Sequence, residues 1–200
     1  MYKVFLFDLG NVLAKPLDDK TLYEKLQCKV GYQEFLQYLY FDEAAVGAHT
    51  GHVSDDDHVK AVIQNCGTKV SMEEYYKIYM NLDTTLNADT VAIAKMVKEK
   101  GYKIGLLSSL RFMDYKRYET QLTELGFDYL FLSYELGYIK PAEGIYRKVM
   151  DRLACAPEEV VFFDDGIVNV EGAAKLGINA YQVTGDTIKD VFEEQFGERL

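Results

Sequence analysis

Three aspartates stand where they could share one site. Asp8 directly follows the apolar run Val4–Phe7, and Asp164 and Asp165 directly follow a second apolar run at residues 160–163. Short runs that are apolar on both faces are typical of buried strands in a parallel sheet, and ligands bind beyond the carboxyl ends of such strands. The spacing therefore predicts that the three carboxylates converge at one edge of a sheet.

Carboxylates this close would repel one another unless a cation lay among them. Mg²⁺ accepts oxygen ligands of this kind, usually together with retained waters and a substrate phosphate. A carboxylate beside such an ion can attack phosphorus, which splits one difficult displacement into two easier ones. The predicted chemistry is Mg²⁺-dependent hydrolysis of a phosphate ester through an aspartyl-phosphate, with Asp8 as the nucleophile.

A hydroxyl group and a lysine complete the predicted site. Ser108 and Ser109 follow a predicted strand at residues 103–107, and Lys140 comes shortly after another at Tyr129–Leu132. Lys140 would neutralise charge on Asp8 and on the phosphoryl oxygens, while the Ser108 hydroxyl and loop N–H groups would hold the phosphate.

The elements that must position these residues alternate along most of the chain. A fifth, weaker strand is predicted at residues 179–183. The predicted helices between strands cover residues 89–100, residues 114–125, a helix with Pro141 as its first residue, and residues 170–176. This alternation predicts an α/β fold with a Rossmann-like parallel sheet flanked by helices.

Residues 17–83 show a different pattern, with no convincing strand. Amphipathic spacing predicts helices at residues 20–27, 32–40, 55–64 and Met72–Met80, and the pairs Ser54 with Asp57 and Ser71 with Glu74 are typical of helix N-terminal caps. We expect an all-helical cap domain at 17–83, inserted into a catalytic core formed by 1–16 and 84–200. The hinges are expected near residues 14–17 and 82–88.

The composition and charge of the chain argue against some classes of binding partner. The net charge of −10 argues against a nucleic-acid partner, because a phosphate backbone requires clustered Lys and Arg. No apolar run approaches the ~20 residues that a membrane span needs. Cys28, Cys66 and Cys155 have neither disulfide nor zinc spacing. We expect a cytoplasmic protein, a monomer or weak dimer, that acts on a small phosphorylated molecule.

Four segments resemble, in order, the motifs of the haloacid dehalogenase-like hydrolase superfamily: FLFDLGNVL, GLLSSL, YIKP and VFFDDGIVNVEGAAKLG. The resemblance covers essentially the whole chain. It implies that Asp8 is the nucleophile and a metal ligand, and that the Gly10 carbonyl and Asp165 are further metal ligands. For Asp164 it implies either a metal ligand or a residue that contacts the ligands. The phosphate-binding residues that it implies are Ser108, Ser109, Lys140 and Asn11. Within the superfamily, the DLGNVL, FFDD and LGYIKP segments resemble those of bacterial α-D-glucose-1-phosphate phosphatases, which implies a sugar phosphate as substrate.

Gly10 departs from the usual pattern. Phosphatases of this superfamily usually have a second Asp at this position, which acts as general acid and base, although the glucose-1-phosphate phosphatases that the chain resembles also have Gly. A sugar released through its anomeric oxygen is a weakly basic leaving group and needs less help from an acid. We therefore expect a preference for good leaving groups, or an acid supplied by the cap. Ser109 and Asn169 are smaller departures, standing where Asn and Asp are common.

Other interpretations stay open. Loss of the acid at Gly10 also fits a weakly active or inactive protein that binds metal and ligand. A 2-haloacid dehalogenase would use an Asp nucleophile without metal, which the crowded carboxylates disfavour. In the cap, His49 and His52 are interpreted as loop residues rather than catalytic groups because Thr50-Gly51 interrupts the helical pattern. Two more sets of residues receive structural interpretations: the tyrosines of the cap helices as packing, and residues 111–117 as a solvated helix face.

Overall fold

The computed structural model describes residues 2–197. The predicted core also includes residue 1 and residues 198–200, which lie outside the described residues. Within the described residues there are five strands: β1 (Val4–Phe7), β2 (Lys103–Ser108), β3 (Tyr129–Leu132), β4 (Val160–Asp164) and β5 (Asn179–Gln182). They form one sheet in the order β3-β2-β1-β4-β5, and every neighbouring pair is parallel. The predicted α/β fold is confirmed, with strand ends that differ from prediction by at most one residue.

Eleven α-helices are found among residues 2–197. In chain order they are α1 (Asp19–Leu26), α2 (Tyr32–Leu36), α3 (Glu43–His49), α4 (Asp55–Asn65), α5 (Met72–Met80), α6 (Ala88–Glu99), α7 (Phe112–Leu125), α8 (Ser133–Leu136), α9 (Glu143–Leu153), α10 (Ile167–Ala174) and α11 (Ile188–Phe196). A π-helical turn (Gln37–Phe41) continues α2, and a 3₁₀ turn (Pro157–Glu159) precedes β4. Among these described residues, no helix has both the length and the apolar character needed to span a membrane.

Helices cover both faces of the sheet because the side chains of each strand alternate. Val4 and Leu6 of β1 pack with residues of α9 and α10, whereas Phe5 and Phe7 pack with residues of α6 and α11. All four side chains of β1 are buried, as expected of a central strand in a doubly covered parallel sheet.

The insertion between β1 and α6 is helical, and α1, α2, α4 and α5 share an apolar cluster that Met113 of α7 also joins. The predicted caps are confirmed: Asp57 N donates to Ser54 Oγ over 3.1 Å, and Ser71 forms a capping box with Glu74. The domain limits 1–16 and 84–200 against 17–83 stay a prediction. The two connections at these limits run side by side, with an antiparallel bridge between Ala14 and Leu86.

Some predicted boundaries were wrong. Pro141 is not the first residue of a helix, because Lys140 N donates to Ser109 Oγ over 2.9 Å and holds this segment in a loop; α9 begins at Glu143. Helix α7 begins at Phe112 rather than at Asp114, because Asp114 caps it by accepting from Arg111 N over 2.9 Å. Helices α3, α8 and α11 were not predicted.

The junction between cap and core contains a buried arginine. Arg111 is only 1% exposed, so its interpretation as part of a solvated helix face was wrong. Its Nε and Nη2 each donate to Asp114 over 2.9 Å, Nη2 donates to the Tyr79 hydroxyl over 2.7 Å, and Nη1 lies 3.0 Å from His58 Nδ1. Tyr79 and His58 belong to the helical insertion, so this one guanidinium joins the insertion to the segment that follows β2.

The Arg111 network predicts a large stability effect. In Arg111→Met, Asp114 keeps a buried charge without its bidentate partner, so the free energy of unfolding should fall by about 3–5 kcal/mol in urea titration. Arg147→Met is the matched control, since Arg147 pairs with Glu143 on α9 and both side chains are more than 60% exposed (66% and 64%). The control should change stability by less than about 1 kcal/mol; equal effects from the two variants would contradict a structural role for the buried pair.

Candidate active site

The three aspartates meet at the carboxyl ends of two neighbouring strands, as predicted. Phe7 of β1 pairs with Phe163 of β4, and Asp8 N donates to Phe163 O over 2.9 Å. This register brings Asp8 beside Asp164 and Asp165. One oxygen of each carboxylate lies within 4.8 Å of the others.

Lys140 lies between two of these carboxylates. Its Nζ is 2.8 Å from Asp8 Oδ1 and 2.5 Å from Asp164 Oδ2, and it also donates to Leu107 O over 3.2 Å. The lysine is only 8% exposed. Burial alone would favour the neutral amine, but Asp8 and Asp164 raise the pKa of Lys140 above its usual value. The ammonium ion is therefore held in the charged form.

The positive charge of one lysine does not balance the negative charge of three acids, and Asp8 is buried among these charges. Burial raises the pKa of Asp8 to about 6, with a further contribution from Asp164, while Lys140 and a hydrogen bond from Ser108 act in the opposite direction. With all four groups ionised, three negative charges face one positive charge. A divalent cation would remove this excess, and the hard oxygen donors present here fit Mg²⁺.

Asp164 and Asp165 differ in what they can still bind. Asp164 is fully buried; its Oδ1 accepts from Gly166 N and Asn169 Nδ2, each over 2.8 Å, and its Oδ2 faces Lys140. Three donors thus contact the Asp164 carboxylate, which suits this residue to hold Lys140 in place. Asp165 is half-buried and accepts only from Asn11 Nδ2, over 3.0 Å, among the described side chains. It retains free oxygen lone pairs for an ion.

The other predicted site residues lie around this centre. Ser108 at the end of β2 is buried and lowers the pKa of Asp8, and Ser109 Oγ accepts from Lys140 N. Asn11, predicted to bind phosphate, contacts Asp165 from a left-handed backbone with φ of 57°. Gly10 is exposed, and a Cβ built on it would meet no described atom within 4 Å. Space and backbone geometry therefore do not require glycine at this position.

A cavity of about 210 Å³ opens between the cap and these residues. Gly10, Ser108 and Ser109 line it from the core. Sequence reasoning missed most of its other lining residues, which are Leu9, Lys15, Leu17, Tyr40, His49, Tyr79, Leu110, Arg111, Asp114, Arg117 and Tyr118. The position of Arg111, two residues after Ser109 in the loop that follows β2, was the one signal that could have found part of this set.

Residues 2–177 match the family model of the haloacid dehalogenase-like hydrolases. The chain belongs to this family. The resemblance stated from its four motifs is thereby confirmed at the level of the family, and the carboxylate cluster lies where those motifs meet.

Similar proteins include D-ribitol-5-phosphate phosphatase of Bacteroides thetaiotaomicron, which is 25% identical over 91% of this chain and 92% of its own length. A solved haloacid dehalogenase family enzyme from the same organism, in complex with magnesium and inorganic phosphate, has a TM-score of 0.79 at 24% identity and covers 92% of this chain and 96% of that one. An L-2-haloacid dehalogenase has a TM-score of 0.66 at 17% identity, covering 92% and 84%. The fold is thus shared with a family enzyme that binds magnesium and inorganic phosphate and with a dehalogenase.

The charge excess predicts a pH-dependent stabilisation by Mg²⁺. Because the pKa of Asp8 is raised to about 6, the stability associated with its protonated form is fully present below its ordinary value of 3.8 and is lost as the pH rises through about 6. Mg²⁺ requires the ionised carboxylate, so the rise in Tm on adding Mg²⁺ should be larger at about pH 7.5 than at about pH 5. At 100 times its Kd, the ion should stabilise the fold by about 2.7 kcal/mol.

Asp165→Asn should abolish most of this Mg²⁺-dependent shift, whereas Asp151→Asn on the exposed side of α9 should retain it. Differential scanning fluorimetry measures both. An equal shift in wild type and Asp165→Asn would show that the ion binds elsewhere.

Proposed function

We propose that the chain is a Mg²⁺-dependent phosphatase that hydrolyses a small phosphate monoester, a sugar or polyol phosphate, with Asp8 as its nucleophile. The observation that carries this proposal is the placement of Lys140 between Asp8 and Asp164, while Asp165, directly after β4, keeps free oxygens. The arrangement provides one nucleophile, one fixed cation and one open metal ligand at a single sheet edge.

In the first half-reaction, a carboxylate oxygen of Asp8 attacks phosphorus, the bond to the leaving oxygen breaks, and an aspartyl-phosphate forms. Lys140 neutralises charge on the phosphoryl oxygens, and Ser108 with the following loop amides holds them. Asp164 keeps Lys140 in position. Mg²⁺, held by Asp8, Asp165 and the Gly10 carbonyl, would supply further charge stabilisation to the phosphoryl group.

In the second half-reaction, water attacks phosphorus and restores the Asp8 carboxylate. This order of events explains why the site needs both a buried nucleophile and a fixed positive charge. Asp8 must be ionised to attack, and neighbouring positive charge favours that form.

The substrate class is supported by the cavity and by the similar proteins. A cavity of about 210 Å³ with several polar lining groups suits a small hydroxylated molecule. The similarity to D-ribitol-5-phosphate phosphatase supports a polyol phosphate, whereas the resemblance to α-D-glucose-1-phosphate phosphatases and the glycine at position 10 support an anomeric sugar phosphate. The two substrates differ in leaving group: a primary alcohol is more basic than an anomeric hydroxyl and depends more on an acid.

The alternatives make different use of the same site. A protein that binds metal and ligand with little turnover would use Asp165 and Lys140 for binding. It would turn over slowly because glycine at position 10 provides no general acid. A 2-haloacid dehalogenase would attack carbon with Asp8 and need no ion. The excess of carboxylates beside Asp8 favours the phosphatase over the dehalogenase, because a metal-free site would retain uncompensated charge.

Turnover of p-nitrophenyl phosphate tests the reaction class. We expect turnover with Mg²⁺, none after EDTA, and a loss of at least about 10³-fold in Asp8→Asn, which removes the nucleophile. Asp151→Asn is the control and should retain wild-type rates. Mg²⁺ binding without turnover would favour the binding protein, and halide release from a 2-haloacid without metal would favour the dehalogenase.

The glycine at position 10 predicts how rate depends on the leaving group. In wild type, kcat/KM across phosphates of graded leaving-group pKa should fall steeply as that pKa rises. Gly10→Asp, which has open space for its side chain, should raise the rate for the most basic leaving groups by about 10²-fold by supplying an acid.

Gly10→Asn, of the same size but without an acidic proton, is the matched control and should not raise the rate. A flat dependence on leaving-group pKa in the wild type, with chemistry rate-limiting, would show that an acid is already present and would contradict this account of Gly10.

A further inference from the structure

One titratable side chain of the cap lies in the same cavity as the phosphate-binding residues. His49, the last residue of α3, lines the cavity together with Gly10 and Ser108. The segment is fixed to the core, because Ser133 Oγ donates to His49 O over 2.6 Å. His49 therefore lines the same cavity as Gly10, the position where the chain lacks an acidic side chain.

The hydrogen bonding of His49 determines its tautomer. Nδ1 lies 2.8 Å from Ala45 O, one turn earlier in α3. A carbonyl oxygen can only accept, so Nδ1 carries the proton and Nε2 carries the lone pair of the neutral ring. No hydrogen-bond partner of Nε2 is found among the described residues. The free nitrogen is thus a base at the cavity.

We propose that His49 is the general base for hydrolysis of the aspartyl-phosphate, a role that rests on the proposed function. The water oxygen bonds to phosphorus as the bond between phosphorus and the Asp8 oxygen breaks, and that electron pair returns to the Asp8 carboxylate. The water proton passes to His49 Nε2 and then to solvent, and inorganic phosphate is released. His49 thus replaces the basic side chain that the chain lacks at position 10.

The electrostatic surroundings keep the ring neutral and able to accept this proton. Burial lowers the pKa of His49 below its ordinary value of 6.5, and the nearby Arg111 lowers it further, while Asp114 acts in the opposite direction. The other titratable groups that face this region are Tyr40, His58, Tyr79, Lys15, Arg117 and Tyr118.

The remaining acid–base candidates of the cavity are poorly suited. Burial raises the pKa of both Tyr40 and Tyr79, which keeps their hydroxyl groups protonated. Arg111 holds the pKa of Asp114 below its usual value in spite of burial, and both oxygens of that carboxylate accept from the guanidinium. His49 is the one ring among these groups with a free basic nitrogen.

Isolating the second half-reaction tests this role directly. The enzyme is phosphorylated with p-nitrophenyl phosphate and Mg²⁺, and the acid-quenched phosphoenzyme is quantified as it decays. His49→Gln should slow this decay by about 10²-fold or more, so that phosphoenzyme accumulates, while the first release of p-nitrophenol keeps its wild-type rate. His52→Gln is the matched control, since His52 is exposed, lies three residues away and does not line the cavity.

Two further readouts separate catalysis from a structural role. In the phosphoenzyme Asp8 is an acyl phosphate and no longer titrates. Wild-type decay should therefore slow at acidic pH as His49 becomes protonated, and this slowing should vanish in His49→Gln. In His49→Ala, added imidazole should restore decay in a concentration-dependent way.

The outcomes distinguish this inference from the function on which it rests. Absence of phosphoenzyme in the wild type, with no Mg²⁺-dependent turnover, would overturn both. Phosphoenzyme that requires Asp8 but decays equally fast in wild type and His49→Gln would overturn the role of His49 alone. Equal loss of both half-reactions without rescue by imidazole would also overturn it, because His49 would then be only structural.

Discussion

The contact of Lys140 with Asp8 and Asp164 is the constraint on which the rest of the site depends. A buried ammonium ion is stable only beside negative charge, and buried carboxylates are stable only beside positive charge. The chain meets both conditions because Asp8 directly follows β1 and Asp164 ends β4, and because the loop between α8 and α9 brings Lys140 to them. Negative charge remains in excess at Asp8 and Asp165, and on this excess rests the proposal that these residues hold a divalent ion.

The cap is tied to this centre through a second buried ion pair. Arg111 follows Ser108 and Ser109 and contacts Asp114, Tyr79 and His58, so the loop proposed to bind phosphate also anchors the helical insertion. The cap in turn supplies His49 to the cavity. The short segment between β2 and α7 therefore both lines the cavity and fixes the position of the helical insertion.

Much of the core could be predicted from sequence because its signals are local. Parallel strands gather their carboxyl ends at one edge, so Asp8, Asp164 and Asp165 could be grouped without any tertiary information. Arg111 could not be interpreted correctly, because its burial depends on cap residues distant in sequence. Helix α3 was missed since Gly47 and Thr50-Gly51 weaken its pattern, and with it the position of His49 was missed. The separate tasks of Asp164 and Asp165 depend on Gly166 and Asn169, whose hydrogen bonds no spacing rule predicts.

The most direct test of the central claim is to identify the residue that carries phosphorus during turnover. Borohydride added during hydrolysis of p-nitrophenyl phosphate reduces an aspartyl-phosphate to homoserine, and peptide mass spectrometry locates the change. The account predicts this conversion at Asp8, dependent on both substrate and Mg²⁺. Continued phosphate release with Asp8 unmodified, or a modification at another residue, would contradict it.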